Sequence, residues 1–233
     1  MRHLPSPCFN DRPDEAVSIL VLHYTGMRSL EDALDKLSKE AGRVSCHYLV
    51  SETGEIYAMV PEDKRAWHAG VSHWRGRDNL NDVSIGIEIQ NPGHEWGYRP
   101  FPAAQMDAVA ALCQDILSRH AIPPRNVVAH SDIAPLRKED PGELFDWKWL
   151  AEQGVGLWPE VGGQGAGNEK QWDVSAIQKK LGAYGYYLPV TGAMDELTEK
   201  TIIAFQRHFR PAKLDGIWDA ECDEKLQRLL TAA

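Results

Sequence analysis

Two histidines in this chain each close a short apolar run: His23 follows "SILVL" and His130 follows "NVVA". Short apolar runs of this kind read as buried strands. Ligands of open α/β sheets gather outside the carboxyl ends of such strands. Two imidazoles there supply two of the three protein ligands of a catalytic zinc site, whose fourth position is left for water. A third ligand is available in "AHSDIAPLRKEDPG" (129–142), where Asp132, Glu139 and Asp140 are all candidates. Spacing does not choose between them. Asp140 precedes Pro-Gly, which would fix the backbone beyond it. Lys138 lies two residues earlier, so on an extended segment both side chains point the same way. A cation beside a metal can stabilise an oxyanion; the plainer reading is a surface Lys–Asp pair of little energetic weight.

Glu88 lies in "SIGIEIQN" (84–91). Side chains alternate along a strand, so Ile85, Ile87 and Ile89 share one face and Ser84, Gly86, Glu88 and Gln90 the other. The second face puts a carboxylate beside a glycine that leaves room over the sheet; the competing reading is a solvated face. "AWHAGVSHW" (66–74) adds Trp67, His68, His73 and Trp74. Gly70 argues against a helix there, and the segment reads as a loop lining a cleft or as aromatic packing. His47, within an apparent strand, reads as a core histidine with its hydrogen bonds satisfied.

The elements that must position these groups alternate. "SILVLHYT" (18–25), "SIGIEIQN" and "NVVAHSDI" (126–133) read as strands, and "VSCHYLVSETGEIYAMVP" (44–61) as two strands about a Thr-Gly turn. "LEDALDKLSKE" (30–40) and "PAAQMDAVAALCQDILSRHAI" (102–122) have helical spacing. This mixture predicts an α/β fold, a central mixed β-sheet flanked by helices. "EVGGQGAGNEK" (160–170), with four glycines, reads as a linker. Beyond it "VSAIQKKLGAYGY", "DELTEKTIIAFQRHF" and "AECDEKLQRLL" predict a small all-α three-helix domain. The expected division is a catalytic domain at 1–159, a linker at 160–170 and a helical domain at 171–233.

The 233 residues are 43% hydrophobic and 25% charged, with a net charge of -9. No basic run stands out, which disfavours nucleic acid and anionic membranes as partners. No apolar run is long enough for a transmembrane segment. The four cysteines are scattered, without a C-x-x-C pair, and read as reduced thiols. No signal peptide is read at the N-terminus, so a cytoplasmic location is expected, with the periplasm or envelope as the alternative. A monomer is expected.

"ILVLHYT", "VSCHYLV", "GEIYAMVPEDKRAWHAG", "NDVSIGIEIQNPG" and "VVAHSDIAPLRKEDPG" occur in this order. Together they resemble the zinc-dependent N-acetylmuramoyl-L-alanine amidases of the AmpD and AmiD type, related in fold to peptidoglycan recognition proteins. The helical segment is similar to a peptidoglycan-binding domain. The resemblance implies Zn2+ held by His23, His130 and Asp140, which settles the choice that spacing left open. It implies Glu88 as general base and Lys138 as transition-state stabiliser. Arg43, Trp67, His68 and Asn81 fall at positions that would line the substrate groove. The implied reaction cuts the amide between N-acetylmuramic acid, or its 1,6-anhydro form, and L-Ala of the stem peptide. The implied substrate is peptidoglycan or muropeptide. A non-catalytic muropeptide recognition module is the alternative.

Overall fold

The structure is a computed structural model that describes residues 1–13, 15–161 and 172–232. Its central sheet has six strands: β1 (Arg2–His3), β2 (Ile19–Tyr24), β3 (Tyr48–Val50), β4 (Ile56–Ala58), β5 (Ser84–Ile89) and β6 (Val127–Ala129). They lie in the order β1-β4-β3-β5-β2-β6. Only the β3–β4 hairpin is antiparallel. The sheet is therefore mixed and flanked by helices, as expected of the fold class.

Alternation along the inner strands divides the sheet cleanly. Leu20, Leu22, Ile85, Ile87, Ile89, Val127 and Ala129 face one way, onto Val109, Leu112 and Ile116 of helix α2 (Ala103–Arg119). Helix α1 (Leu30–Ser38) is capped by Ser29, whose side chain accepts from the Asp32 amide. It packs Ala33 and Leu37 beside Leu49 and Tyr57. Ile19, Val21 and Val128 face the other way, into a cluster with Trp74, Leu80 and Ile133.

Register carries the functional consequence. β2 and β5 pair His23 with Glu88 and Val21 with Gly86. β2 and β6 pair Leu22 with Ala129, so His130 emerges one position further on, level with His23. Glu88, His23 and His130 thus form a row across three parallel strands, at their carboxyl ends. The strand reading of 126–133 needs correction: β6 stops at Ala129, and His130–Ile133 is a single helical turn, α3. The Asp132 carboxylate accepts the Ala129 amide at 2.8 Å, and this side-chain bond replaces further strand pairing.

Helices α4 (Trp147–Glu152), α5 (Val174–Tyr184), α6 (Glu196–Phe209) and α7 (Ala220–Thr231) follow. Each is capped by an aspartate: Asp146, Asp173, Asp195 and Asp219. In the C-terminal region two turns repeat one device. Buried Gln178 accepts the Gly192 amide at 2.9 Å, and buried Gln206 accepts the Gly216 amide at 2.9 Å. Both glycines have positive φ, 74° and 69°, the backbone region that glycine enters without steric cost.

The three helices do not stand apart from the sheet. Tyr184, Tyr186 and Phe209 share a cluster with Val21 and Val128, and Trp74 packs edge-on to Tyr184 and Tyr186. The core of these helices is continuous with that of the sheet. The glycine-rich segment, from 162 onward, lies outside the described residues. All four cysteines are buried and free. Among the described residues no helix is long and apolar enough to cross a membrane.

Candidate active site

Three ligand atoms converge at the sheet edge. His23 Nδ1 lies 2.9 Å from His130 Nδ1, and Asp140 Oδ2 lies 3.0 Å from each nitrogen. All three residues are buried, and among the described residues they are the group of metal-ligating side chains close enough to share one ion.

The other ring nitrogens fix the tautomers. His130 Nε2 faces the Ala69 carbonyl at 3.1 Å, an acceptor, so it carries the proton and leaves a lone pair on Nδ1. His23 is fixed through a longer chain. The Ser84 hydroxyl donates to the Leu80 carbonyl at 2.6 Å. Ser84 Oγ therefore accepts from His68 Nε2 at 3.2 Å. His68 Nδ1 then accepts from His23 Nε2 at 3.0 Å, and the His23 Nδ1 lone pair is free. Two neutral imidazole lone pairs and one carboxylate aimed at one point fit a cation with an open fourth position.

The electrostatics agree. Burial lowers the His23 pKa to about 4, helped by its neighbour His130, so the ring stays neutral. Burial alone would raise the Asp140 carboxyl, but His130 and His23 outweigh it and hold it far below the usual carboxylate range. Burial, with Asp140 adding to it, pushes Glu88 well above the ordinary value, against the opposing charge of Lys138. Glu88 Oε2 is screened from solvent and has no hydrogen-bond partner. Such an atom needs an explanation, and one is a ligand received beside the three converging atoms.

The Asp140 segment is held from two sides. The Ser131 amide donates to the Asp140 carbonyl at 3.0 Å. The Tyr98 hydroxyl donates to the Pro141 carbonyl at 2.8 Å and accepts the Leu144 amide at 2.9 Å. Lys138 and Asp140 open onto a cleft of about 610 Å³ that Tyr24, Glu143, and Lys200 and Arg207 of α6 also line, Arg207 pairing with Glu143 at 3.5 Å.

The groove residues fare unevenly. His68 is buried behind His23, not in the cleft. Its ring lies across Gly86, where a Cβ would come within 2.4 Å of it. The room that Gly86 leaves over the sheet is therefore filled by an imidazole. Asn81 is also buried; its side-chain oxygen accepts the amides of His68 and Ala69 at 3.0 and 2.8 Å. The structure places both side chains within the fold, where the two ring nitrogens of His68 and the side-chain oxygen of Asn81 are paired with their neighbours. Trp67 is half-buried and donates to Asn10 Oδ1 at 2.6 Å. Arg43 is exposed, in a left-handed conformation with φ 53°. His47 is a paired core histidine just ahead of β3. Its Nδ1 accepts the Gly86 amide at 3.0 Å and its Nε2 faces the Lys64 carbonyl at 3.1 Å.

Sequence reasoning missed Tyr24, Lys200 and Arg207 of the cleft, and Tyr186 and His208, which reach Asp132. Only Tyr24 carried a local signal, standing beside His23. The others come from distant segments.

Comparison with known proteins identifies the family and the fold. Residues 13–143 match the family described as N-acetylmuramoyl-L-alanine amidase, and residues 171–226 match a peptidoglycan binding domain family. The chain is 40% identical to the N-acetylmuramoyl-L-alanine amidase AmiD of Escherichia coli, over 92% of this chain and 82% of that protein. It is 40% identical to the 1,6-anhydro-N-acetylmuramyl-L-alanine amidase AmpD of Citrobacter freundii, over 63% of this chain and 86% of that protein. The structure of E. coli AmiD with anhydro-N-acetylmuramic acid-L-Ala-D-gamma-Glu-L-Lys superposes with a TM-score of 0.83 at 39% identity, covering 93% of this chain and 89% of that one. AmpDh3 of Pseudomonas aeruginosa, in complex with anhydromuramic pentapeptide, gives 0.83 at 34% identity, covering 97% and 96%.

Proposed function

The chain belongs to the N-acetylmuramoyl-L-alanine amidase family, and we propose on that premise that its sheet-edge site hydrolyses the amide between N-acetylmuramic acid and L-Ala of the stem peptide. The substrate is a peptidoglycan fragment, with the 1,6-anhydro sugar that the AmpD relative's name carries. The observation that carries the reading is the convergence of His23 Nδ1, His130 Nδ1 and Asp140 Oδ2 beside an unpartnered Glu88 oxygen.

His23, His130 and Asp140 hold Zn2+. When bound, zinc lowers the pKa of water and polarises the scissile carbonyl. Glu88, level with His23 on the neighbouring strand, takes a proton from the attacking water and passes it to the leaving L-Ala amine. The Lys138 ammonium, two residues from Asp140, faces the oxyanion of the tetrahedral intermediate. Its half-buried position at the cleft strengthens that interaction relative to bulk water. Arg43 and Trp67, the first exposed and the second half-buried, are the proposed contacts for the stem peptide.

The test is incubation with soluble anhydro-muropeptides and, in parallel, with intact sacculi, following free stem peptide by mass spectrometry. Release from the fragments, abolished in Glu88→Ala, is the expected result. Binding without release in both proteins would identify a recognition module instead. Preference for fragments or sacculi separates a recycling role from wall turnover.

A further inference from the structure

Asp132, set aside as a metal ligand, has a use of its own. It is 1% exposed and stands at the third position of α3, the turn that begins with His130. Oδ2 accepts the Ala129 amide at 2.8 Å, which anchors the start of that turn. The carboxylate's two other partners come from the C-terminal region, one from the loop after α5 and one from α6. The Tyr186 hydroxyl donates to Oδ1 at 2.7 Å, and His208 Nδ1 donates to Oδ2 at 2.6 Å.

Both C-terminal side chains are held in place. The His208 ring is stacked between Trp147 and Phe209, with centroids 3.8 and 3.9 Å away. Its Nε2 is buried without a partner, so Asp132 accounts for the ring's only polar bond among the described residues. Tyr186 packs edge-on to Trp74. A buried carboxylate stripped of two of its three donors pays a desolvation cost that moving the turn would relieve. That turn carries His130, and through the Ser131 amide it also holds the Asp140 carbonyl.

We infer that Tyr186 and His208 are positioning residues for the metal site: through Asp132 the C-terminal helical region holds the turn that presents His130. The region that matches a peptidoglycan binding domain thereby also sets ligand geometry in the catalytic region. This rests on His23, His130 and Asp140 being the zinc ligands.

The experiment uses the full chain. Zinc affinity is measured by competition with a chromophoric chelator, and the Co2+-substituted protein supplies a visible spectrum. The comparison is between the parent, Tyr186→Phe/His208→Gln, and Leu226→Ala, which removes a buried side chain of α7 without touching Asp132. All are measured at a temperature where circular dichroism shows each to be folded. Tyr186→Phe alone serves if the double variant does not fold, since it keeps the ring. The expected result is zinc binding weakened about tenfold or more in the double variant, several-fold in the single one, with altered Co2+ bands. Leu226→Ala stays within about twofold of the parent. Zinc affinity unchanged in the Tyr186 and His208 variants would overturn the inference, as would equal weakening in Leu226→Ala. A parent that binds no zinc would overturn the metal-site reading itself and this inference with it.

Discussion

The two histidines of the site are equivalent in what they offer and unlike in what supports them. His23 is braced from within its own sheet: His68 behind it, Ser84 behind His68, and the Leu80 carbonyl at the end of the chain. The His130 ring also donates to a backbone carbonyl, that of Ala69, but it stands on a single helical turn whose carboxylate is held by Tyr186 and His208 of the C-terminal region. The His23 support is a side-chain relay beside the sheet. The turn that carries His130 depends in addition on remote C-terminal side chains packing against it. A metal site needs rigid outer partners as much as ligands, and this one draws them from two sources.

The largest expected effect tests the equivalence. His23→Ala and His130→Ala should each abolish both stoichiometric zinc binding, read by metal analysis after dialysis, and amide cleavage. Full retention of zinc by either variant would break the symmetry at its root. Next, Glu88→Gln keeps the shape of the row but removes the base. It should lower kcat by about 10²–10⁴-fold with zinc content unchanged.

A pH series on the zinc-free protein separates the sheet from the helices. Burial lowers the pKa of His47 from 6.5 to about 3. The unfolded chain therefore takes up the proton first as pH falls. Stability is full above about pH 6.5 and declines toward pH 3, on the order of a few kcal/mol by linkage. Denaturant titrations should show this slope, and His47→Gln should make it shallower, with buried His23 and His68, whose pKa values are lowered too, supplying the remainder. Smaller again, His68→Ala leaves His23 Nε2 without its acceptor and should weaken zinc about 10–100-fold. Gly86→Ala should act in the same direction, because the new methyl displaces the His68 ring. Arg43→Ala, an exposed rim change, should raise KM a few-fold and leave kcat within about twofold, as a surface charge contact would.

Much of the fold was legible in the chain. The alternating Ile85, Ile87 and Ile89 announced the buried face of their strand, and the apolar runs before His23 and His130 announced strand ends. Those signals are periodic, and periodicity survives in sequence. The end of β6 was not legible. Its last backbone amide is captured by Asp132, and a side-chain capture leaves no periodic trace.

His68 shows the same limit at the site. Its type suggested chemistry, but which way its ring points was decided by the space above Gly86 and by the N–H that His23 Nε2 donates. Asn81 gives its side-chain oxygen to two backbone amides, pairings that its position in the sequence did not announce.

The sequence by itself therefore offered the candidate donors: two imidazoles at strand ends, a glutamate on the open face of its strand, and three carboxylates in 129–142 among which spacing did not choose. Residue type and strand period place the first three directly, and the family resemblance points to Asp140 among the carboxylates. The tertiary structure alone decided their tautomers, their burial and their supports. These depend on partners as far away as Tyr186 and His208, brought into contact only when the helices pack on the sheet.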